Sequence, residues 1–330
     1  MFSLWLTARF SKPGSLLYVL DHPNARSLHT APTPRMGGVA ILAAVYLAGI
    51  AAVLRRPDLA ALWSLGIAGA VLACVAYVDD RRPLPASFRA LVHLAVAGAL
   101  AISGLYLTEI DLPGFDLRVA GWLGVTVTIG LMAWMINLYN FMDGMDGFAG
   151  GMTVSGFATL SALGWLAGHP DFALVSAVIA ASAVGFLVCN FPPARIFMGD
   201  VGSSTLGLFA AGFVVWGVRE RMFPLWCAIL IFSPFIVDAT VTLVRRLVRG
   251  ERIWEPHRTH YYQRLVRAGW GHRRTVLLQY AFMLGCSVSA VVGVHASEGM
   301  QWAIIVGWTL IYGTYFLGVN RLEARVGSPA

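Results

Sequence analysis

Apolar residues run in blocks of about 20, separated by short stretches of Gly, Pro and charged positions, and such blocks recur along the whole chain. A helix needs about 20 apolar residues to cross the hydrocarbon core of a bilayer. Spans are therefore expected at about residues 38–54, 60–78, 90–107, 119–138, 148–168, 172–189, 203–218, 223–244, 275–294 and 301–318. Backbone groups in lipid must be satisfied within the membrane segment itself, so each span is expected to be helical. The fold class that follows is all-α: a polytopic integral membrane helical bundle of about 10 transmembrane helices plus a short N-terminal apolar segment. That segment, FSLWLTARF at residues 2–10, is too short to cross and is followed at once by Lys12, Pro13 and Gly14, so it is expected as an interfacial or re-entrant start. The N-terminus lacks the basic, apolar and small-residue succession of a signal peptide, so insertion is expected to rely on the spans themselves.

Composition sharpens this picture. Of 330 residues, 58% are hydrophobic and 12% charged, against about 25% charged in an ordinary soluble domain. A soluble globule is excluded, and the spans leave room for a single polytopic domain, residues 1–330. Cys74, Cys189, Cys227 and Cys286 all fall inside apolar runs and show no zinc or disulfide spacing, so they read as small hydrophobes. Net charge is +7, and its distribution matters more than its size. Taking connections alternately, one side receives residues 19–37, 79–89, 139–147, 190–202, 245–274 and 319–330, which hold 17 of the 24 basic residues. The other side receives Arg55, Arg56, Arg118, Arg219 and Arg221. By the positive-inside rule the first side is cytoplasmic. Nine of the 17 lie in 245–274, the one long loop expected, and a loop of that length is usually functional or disordered.

Five polar clusters sit on that side, in loops 21–37, 79–89, 139–147, 190–202 and 245–274. The first, DHPNARSLHTAPTPRMGG, carries Asp21, Asn24, Arg26, His29 and Arg35 ahead of Gly37 and Gly38; it suits an anion site or a basic loop resting on lipid headgroups. The second places Asp79 and Asp80 at the inner end of a span, where acids are costly and are functional candidates. Adjacent positions point about 100° apart on a helix, so the two are expected to serve different partners. In the third, Asn137, Asn140, Asp143 and Asp146 recur every third residue, and Gly144 and Gly147 loosen the helix enough to let them converge. The helix dipole alone disfavours two acids at a C-terminus. The fourth, NFPPARIFMGDVGSS, offers Asn190, Phe197 and Asp200 just before a span, where Asp200 is equally an ordinary N-cap. The fifth, WEPHRTHYYQRL, contributes His257, Arg258 and His260, which fit a diphosphate better than a zinc ion, because no third metal ligand is adjacent. Asp238 either completes this site or pairs with an arginine. Carboxylates suited to Mg²⁺ beside His and Arg suited to phosphate point to magnesium-dependent phosphoryl transfer at the membrane surface.

These clusters, in this order, resemble the polyprenyl-phosphate N-acetylhexosamine-1-phosphate transferases over residues 20–270. The motifs are NxR…H…PxxGG (Asn24, Arg26, His29, Pro34, Gly37, Gly38), the Asp79-Asp80 pair, NxxNxxDGxDG from Asn137 to Gly147, and NxxPAxxFMGDxGS from Asn190 to Ser203. The resemblance implies transfer of a sugar 1-phosphate from a UDP-N-acetylhexosamine to undecaprenyl phosphate in the inner leaflet of the bacterial cytoplasmic membrane, with release of UMP. It implies Mg²⁺ as cofactor, with Mn²⁺ a candidate substitute, held by Asp200. Asp79 and Asp80 would be the acceptor-side catalytic acids, Asp146 and Asn190 nucleoside contacts, Phe197 a stacking partner for uracil, and His257, Arg258 and His260 diphosphate ligands. Arg26, His29, Asn137, Asn140 and Asp143 join them as substrate-binding candidates. A phosphate monoester has its second pKa near 6, so the acceptor is already mostly dianionic and direct in-line attack is favoured over an aspartyl intermediate. The fifth cluster lacks the consecutive histidines of the peptidoglycan branch and is closer to the branch that initiates O-antigen or related cell-envelope glycans with GlcNAc or a 6-deoxy sugar such as FucNAc or QuiNAc. The family usually begins with a full span ahead of the Asp21 loop, where this chain has the shorter 2–10 segment. A homodimer is a candidate assembly, and no nucleic-acid partner is expected. The alternatives are a phospho-N-acetylmuramoyl-pentapeptide transferase and, from another class, a transporter, which would carry its acids near span midpoints.

Overall fold

The computed structural model describes residues 1–15, 17–23, 27–55, 61–119, 121–252 and 257–327; Asn24, Arg26, Arg56 and Trp254 lie outside the described residues. The apolar blocks form helices α1 (Phe2–Phe10), α2 (Gly37–Arg55), α3 (Ala61–Arg81), α4 (Ala86–Ile102), α5 (Trp122–Met142), α6 (Phe148–Leu166), α7 (Pro170–Asn190), α8 (Gly199–Arg219), α9 (Leu225–Ile231), α10 (Ser233–Val248), α11 (Tyr261–Leu265), α12 (Gly271–Gly293) and α13 (Glu298–Val326). Each expected span coincides with a helix or, for 223–244, a bent pair. Among the described residues seven helical stretches are long and apolar enough to cross a membrane, or eight if the bent pair counts as one span, which is fewer than the ten expected. At 17 residues α4 is too short, and the glycines, serines and threonines of α6 dilute its hydropathy.

Three local departures from the sequence expectation have plain causes. The span at 223–244 breaks by 80° between α9 and α10. Pro234 opens α10 and has no N–H to continue the ladder, while the Ser233 hydroxyl donates to the carbonyl of Leu230 at 2.7 Å. The helical architecture also carries two small antiparallel pairs: β1 (Leu20–Asp21) with β2 (Thr33–Pro34), and β3 (Glu109–Leu112) with β4 (Phe115–Arg118). Pro113 and Gly114 make the second turn, with Gly114 at φ +71°, as a proline-glycine turn requires. The loop expected over 245–274 is largely ordered, because it holds the end of α10, α11, a π-helical turn at Val266–Trp270 and the start of α12.

At the centre lies α8, 94% buried over its span; between Thr205 and Arg219 it is apolar on every face, as a buried helix without a polar face must be. It packs against α2, α3 and α5. The α2–α8 crossing is so close that a Cβ on Gly38 would lie 2.3 Å from the Cα of Gly202, the small-residue contact that lets helices pack in lipid without a hydrophobic drive. The N-terminal segment docks along α7 and α2, with Ser3 and Thr7 buried and the Ser3 hydroxyl donating to the Ser182 carbonyl at 2.7 Å.

Gly38→Ala should overpack this crossing at a cost of about 1–3 kcal/mol, lowering the thermal unfolding midpoint in detergent. Gly49→Ala on the same helix, where a Cβ meets nothing within 4 Å, should leave the midpoint unchanged or raise it. Equal midpoints for the two variants would show that the crossing is looser than described.

Candidate active site

Short backbone bonds bring the first and fourth clusters together. Phe197 N–H donates to the Pro34 carbonyl at 2.7 Å, Gly37 N–H to Phe197 at 2.9 Å and Gly38 N–H to Met198 at 2.8 Å. Gly199 then starts α8 at φ +75°, where a Cβ would sit 2.3 Å from the Arg35 carbonyl oxygen and 3.1 Å from Asp80 Oδ2. Only glycine fits such a conformation and approach. Asp200 is thereby set beside the acids at the end of α3.

Two cavities meet at Asp200. The larger, about 400 Å³, is lined by residues of all five clusters, among them His29, Asp80, Asp143, Asp146, Asn190, Phe197, His257 and His260. The smaller, about 220 Å³, has apolar walls from Leu72, Val75 and Ala76 of α3 and Ala86 and Ala90 of α4, and a polar floor of Asp79, Arg89, His93 and Asn137. Asn140, Phe141, Arg89 and Asp200 border both. Arg258 does not line the larger cavity, and Arg26 lies outside the described residues.

The two adjacent acids do face different partners. Asp79 accepts from Leu84 N–H at 2.6 Å and from Arg89 Nη1 at 2.9 Å, so it both caps the turn into α4 and aims Arg89. The same Arg89 nitrogen lies 3.8 Å from Asp200 Oδ2. Asp80, its side chain 2% exposed, has Arg35 Nη1 at 3.6 Å and accepts from Val201 N–H at 3.4 Å. Arg35 also approaches Asp21 at 3.8 Å, and His29 lies 3.6 Å from Asp21. Asp200 differs from both acids: one oxygen accepts from Asn140 Nδ2 at 2.9 Å, yet the side chain stays 36% exposed.

The remaining candidates divide between cavity and scaffold. Asn190 lines the large cavity but its amide is committed to the backbone, accepting from Gly147 N–H and donating to the Ile196 carbonyl, both at 2.9 Å. Asp146 accepts from Ala194 N–H at 3.0 Å and lies 3.1 Å from His272. Asn137 donates to the Ala133 carbonyl at 2.7 Å and sits 3.3 Å from His93. The Phe197 ring lies 4.9 Å from that of His29, tilted by 60°. Asp238 accepts from Tyr261 and Tyr262 N–H at 2.9 and 3.0 Å, capping α11, and holds His260 at 3.3 Å.

Arg89, His93 and His272 were missed in reading the sequence for site residues, although a lone arginine and histidine inside the apolar stretch of α4 were a usable signal. Nothing local in the sequence ties His272 to Asp146, 126 positions away.

Electrostatics favour a cation among the acids. Burial, and then the carboxylates of Asp200, Asp80 and Asp146, hold Asp143 well above the usual carboxylate range. Among the described residues no three His, Cys, Asp or Glu side chains are placed to hold a metal alone. The carboxylates of Asp80, Asp143 and Asp200 that line the cavity are hard oxygen donors of the kind Mg²⁺ takes, one or two to an ion. His257 is pushed down to about 3 by burial, then by His260 and Arg246. It is therefore neutral at pH 7.

The profile of glycosyl transferase family 4 matches residues 62–218. A probable undecaprenyl-phosphate N-acetylglucosaminyl 1-phosphate transferase of Bacillus subtilis is 31% identical, covering 87% of this chain and 80% of its own. A decaprenyl-phosphate N-acetylglucosaminephosphotransferase of Mycobacterium leprae is 30% identical over 90% and 82%. An undecaprenyl-phosphate alpha-N-acetylglucosaminyl 1-phosphate transferase of Escherichia coli K12 is 26% identical over 92% and 84%.

A histidine whose folded pKa is depressed costs stability as pH falls below its unfolded value of about 6.5, since only the unfolded chain gains the proton. Between pH 7 and 5, His257→Gln should therefore lose less thermal stability than the parent protein. Parallel pH profiles of the midpoints would remove the depressed pKa.

Proposed function

The chain belongs to the polyprenyl-phosphate N-acetylhexosamine-1-phosphate transferases, and from that premise we propose that it moves N-acetylhexosamine 1-phosphate from a UDP-sugar to undecaprenyl phosphate, releasing UMP. The observation that carries this reading is the meeting of a large polar cavity and a smaller apolar-walled one at Asp200. A nucleotide sugar suits the first. The second lies between the apolar helices α3 and α4 and suits a lipid whose phosphate must reach the polar floor. N-acetylglucosamine is the first donor to test, because the similar proteins are named for it; a 6-deoxy N-acetylhexosamine is the next. These names favour neither the muramoyl-pentapeptide donor nor transport. The product would initiate a lipid-linked envelope glycan, O-antigen among them, in the bacterial cytoplasmic membrane with the polar cavity facing the cytoplasm. The basic bias of the loops supports that orientation.

In this reading Asp200 holds Mg²⁺, with Mn²⁺ as substitute, because it combines a fixed oxygen with an exposed edge. The bound ion supplies charge neutralisation at the diphosphate. Phe197, at the wall of the large cavity, stacks on uracil, while Asp146 beside His272 contacts the nucleoside. Arg89, aimed by Asp79, faces the acceptor phosphate, and Arg35, aimed by Asp80, faces the donor side. The two acids thus act through their arginines. An oxygen of the acceptor phosphate attacks the β-phosphorus, the bond from that phosphorus to the bridging oxygen breaks, and UMP departs with the bridging oxygen. The acceptor is dianionic at neutral pH, so no base is required. His257 and His260 donate hydrogen bonds to the diphosphate.

The decisive experiment is radiolabelled transfer by purified protein in detergent, with undecaprenyl phosphate, a panel of UDP-N-acetylhexosamines, and Mg²⁺ with or without chelator. A lipid-extractable product with UMP release, lost on chelation, is the expected result; failure of every donor would refute the assignment. Asp200→Asn should lower turnover by about 10³-fold or more while leaving the unfolding midpoint in chelator close to that of the parent. Retained turnover would remove its metal role. Base stacking on an aromatic ring contributes about 1–3 kcal/mol, so Phe197→Ala should weaken donor binding by about 5- to 150-fold with acceptor affinity unchanged. An unaltered donor affinity would exclude the stacking.

A further inference from the structure

Away from the two cavities at Asp200, a third of about 120 Å³ lies between α10, α11 and α13. Among the described residues five arginines line it, Arg245, Arg246, Arg249, Arg264 and Arg267, against two acids, Glu251 and Glu323. The acids are already engaged: Glu251 lies 2.9 Å from Arg246 Nε, and Glu323 accepts from Arg264 Nε at 3.0 Å and also from its Nη2. Arg264 is 5% exposed, stacks over the Tyr261 ring at 4.6 Å and donates from Nη2 to Asn320 at 2.6 Å. Its Nη1 is buried without a hydrogen-bond partner among the described residues.

A buried guanidinium nitrogen left unpaired costs about 1–3 kcal/mol or more, and five guanidinium groups around one hollow repel one another. An anion with several acceptor oxygens relieves both, and phosphate is the ligand whose geometry the arginine fork matches. The cavity has under a third of the volume of the large one, which suits a phosphate group rather than a nucleotide. Beside it, Val244, Leu247 and Val248 of α10 are exposed, so apolar surface for acyl chains adjoins the charged hollow at the end of a membrane helix. We propose that this hollow is a binding site for a phosphate-bearing anion, with Arg264 as its buried anchor and Arg245 and Arg249 at its rim. An anionic phospholipid headgroup and free phosphate share this chemistry.

The test uses the full-length protein in detergent micelles, with unfolding midpoints and native mass spectrometry as readouts. Three probes are titrated separately: phosphatidylglycerol, phosphatidylcholine and inorganic phosphate. Phosphatidylglycerol should bind saturably and raise the midpoint, with phosphatidylcholine weaker. The double variant Arg245→Gln/Arg249→Gln should bind about tenfold or more weakly, each arginine near a membrane surface contributing about 1 kcal/mol. Arg321→Gln/Arg325→Gln, on α13 but outside the hollow, should bind as the parent does. Saturable binding of inorganic phosphate with the same variant pattern, and no added effect of lipid, would support the site and make its source soluble phosphate. The proposal falls if the rim variant binds both probes like the parent, if the two double variants lose affinity equally, or if neither probe binds. No readout depends on transferase activity, so the result stands apart from the proposed reaction.

Discussion

The site depends on one backbone contact: residues 34–38 paired against residues 197–198, ahead of the Gly38–Gly202 crossing. Three hydrogen bonds of 2.7–2.9 Å join the two segments, and the glycine pair lets α2 and α8 approach with no side chain between them. Hydrophobic attraction cannot hold helices together inside lipid, so close packing and hydrogen bonds must. Because this contact sets where α8 begins, it sets Asp200 against the end of α3 and makes the acids of two distant segments neighbours.

Placing acids together at a membrane edge creates a second requirement, that each be satisfied. The chain meets it with shared cations. Arg89 lies between Asp79 and Asp200, and Arg35 between Asp21 and Asp80. Each arginine is thereby held in one orientation before any substrate arrives, with the entropy of ordering it spent in folding. Asp200 keeps an exposed edge because its hydrogen bond is to a neutral amide, Asn140, rather than to an arginine. The difference between the half-exposed Asp200 and the buried Asp79 and Asp80 is therefore not in the residue type but in the surroundings.

A similar division runs through the long connection after α10. Asp238 spends both oxygens on the N–H groups that open α11 and on His260, so a buried acid fixes a short helix and, through it, the histidines at the cavity. Arg264 of the same helix turns the other way, toward α13. One five-residue helix thus links the polar cavity to the arginine-lined hollow.

Much of this molecule was legible in its sequence. Runs of apolar residues long enough for a bilayer produced helices at every expected place, since lipid leaves the backbone no alternative. The five clusters that line one cavity were recognisable by residue type, because acids, amides and histidines are too costly at membrane ends to be there by chance. What the sequence could not reveal was pairing. Asp79 and Asp80 are identical in chemistry and adjacent in chain, yet they serve different arginines; Asn190 lines the cavity while its amide braces two backbone segments. The bend at Phe232–Pro234 and the short hairpin at 109–118 likewise needed the neighbouring helices to show their direction. Residue type and spacing are properties of the chain alone, and they marked out the membrane fold and the five clusters that supply most of the cavity lining. Which group is buried, paired or left open depends on contacts between segments more than a hundred positions apart, such as Asp146 with His272 and Pro34 with Phe197, and only tertiary packing decides those.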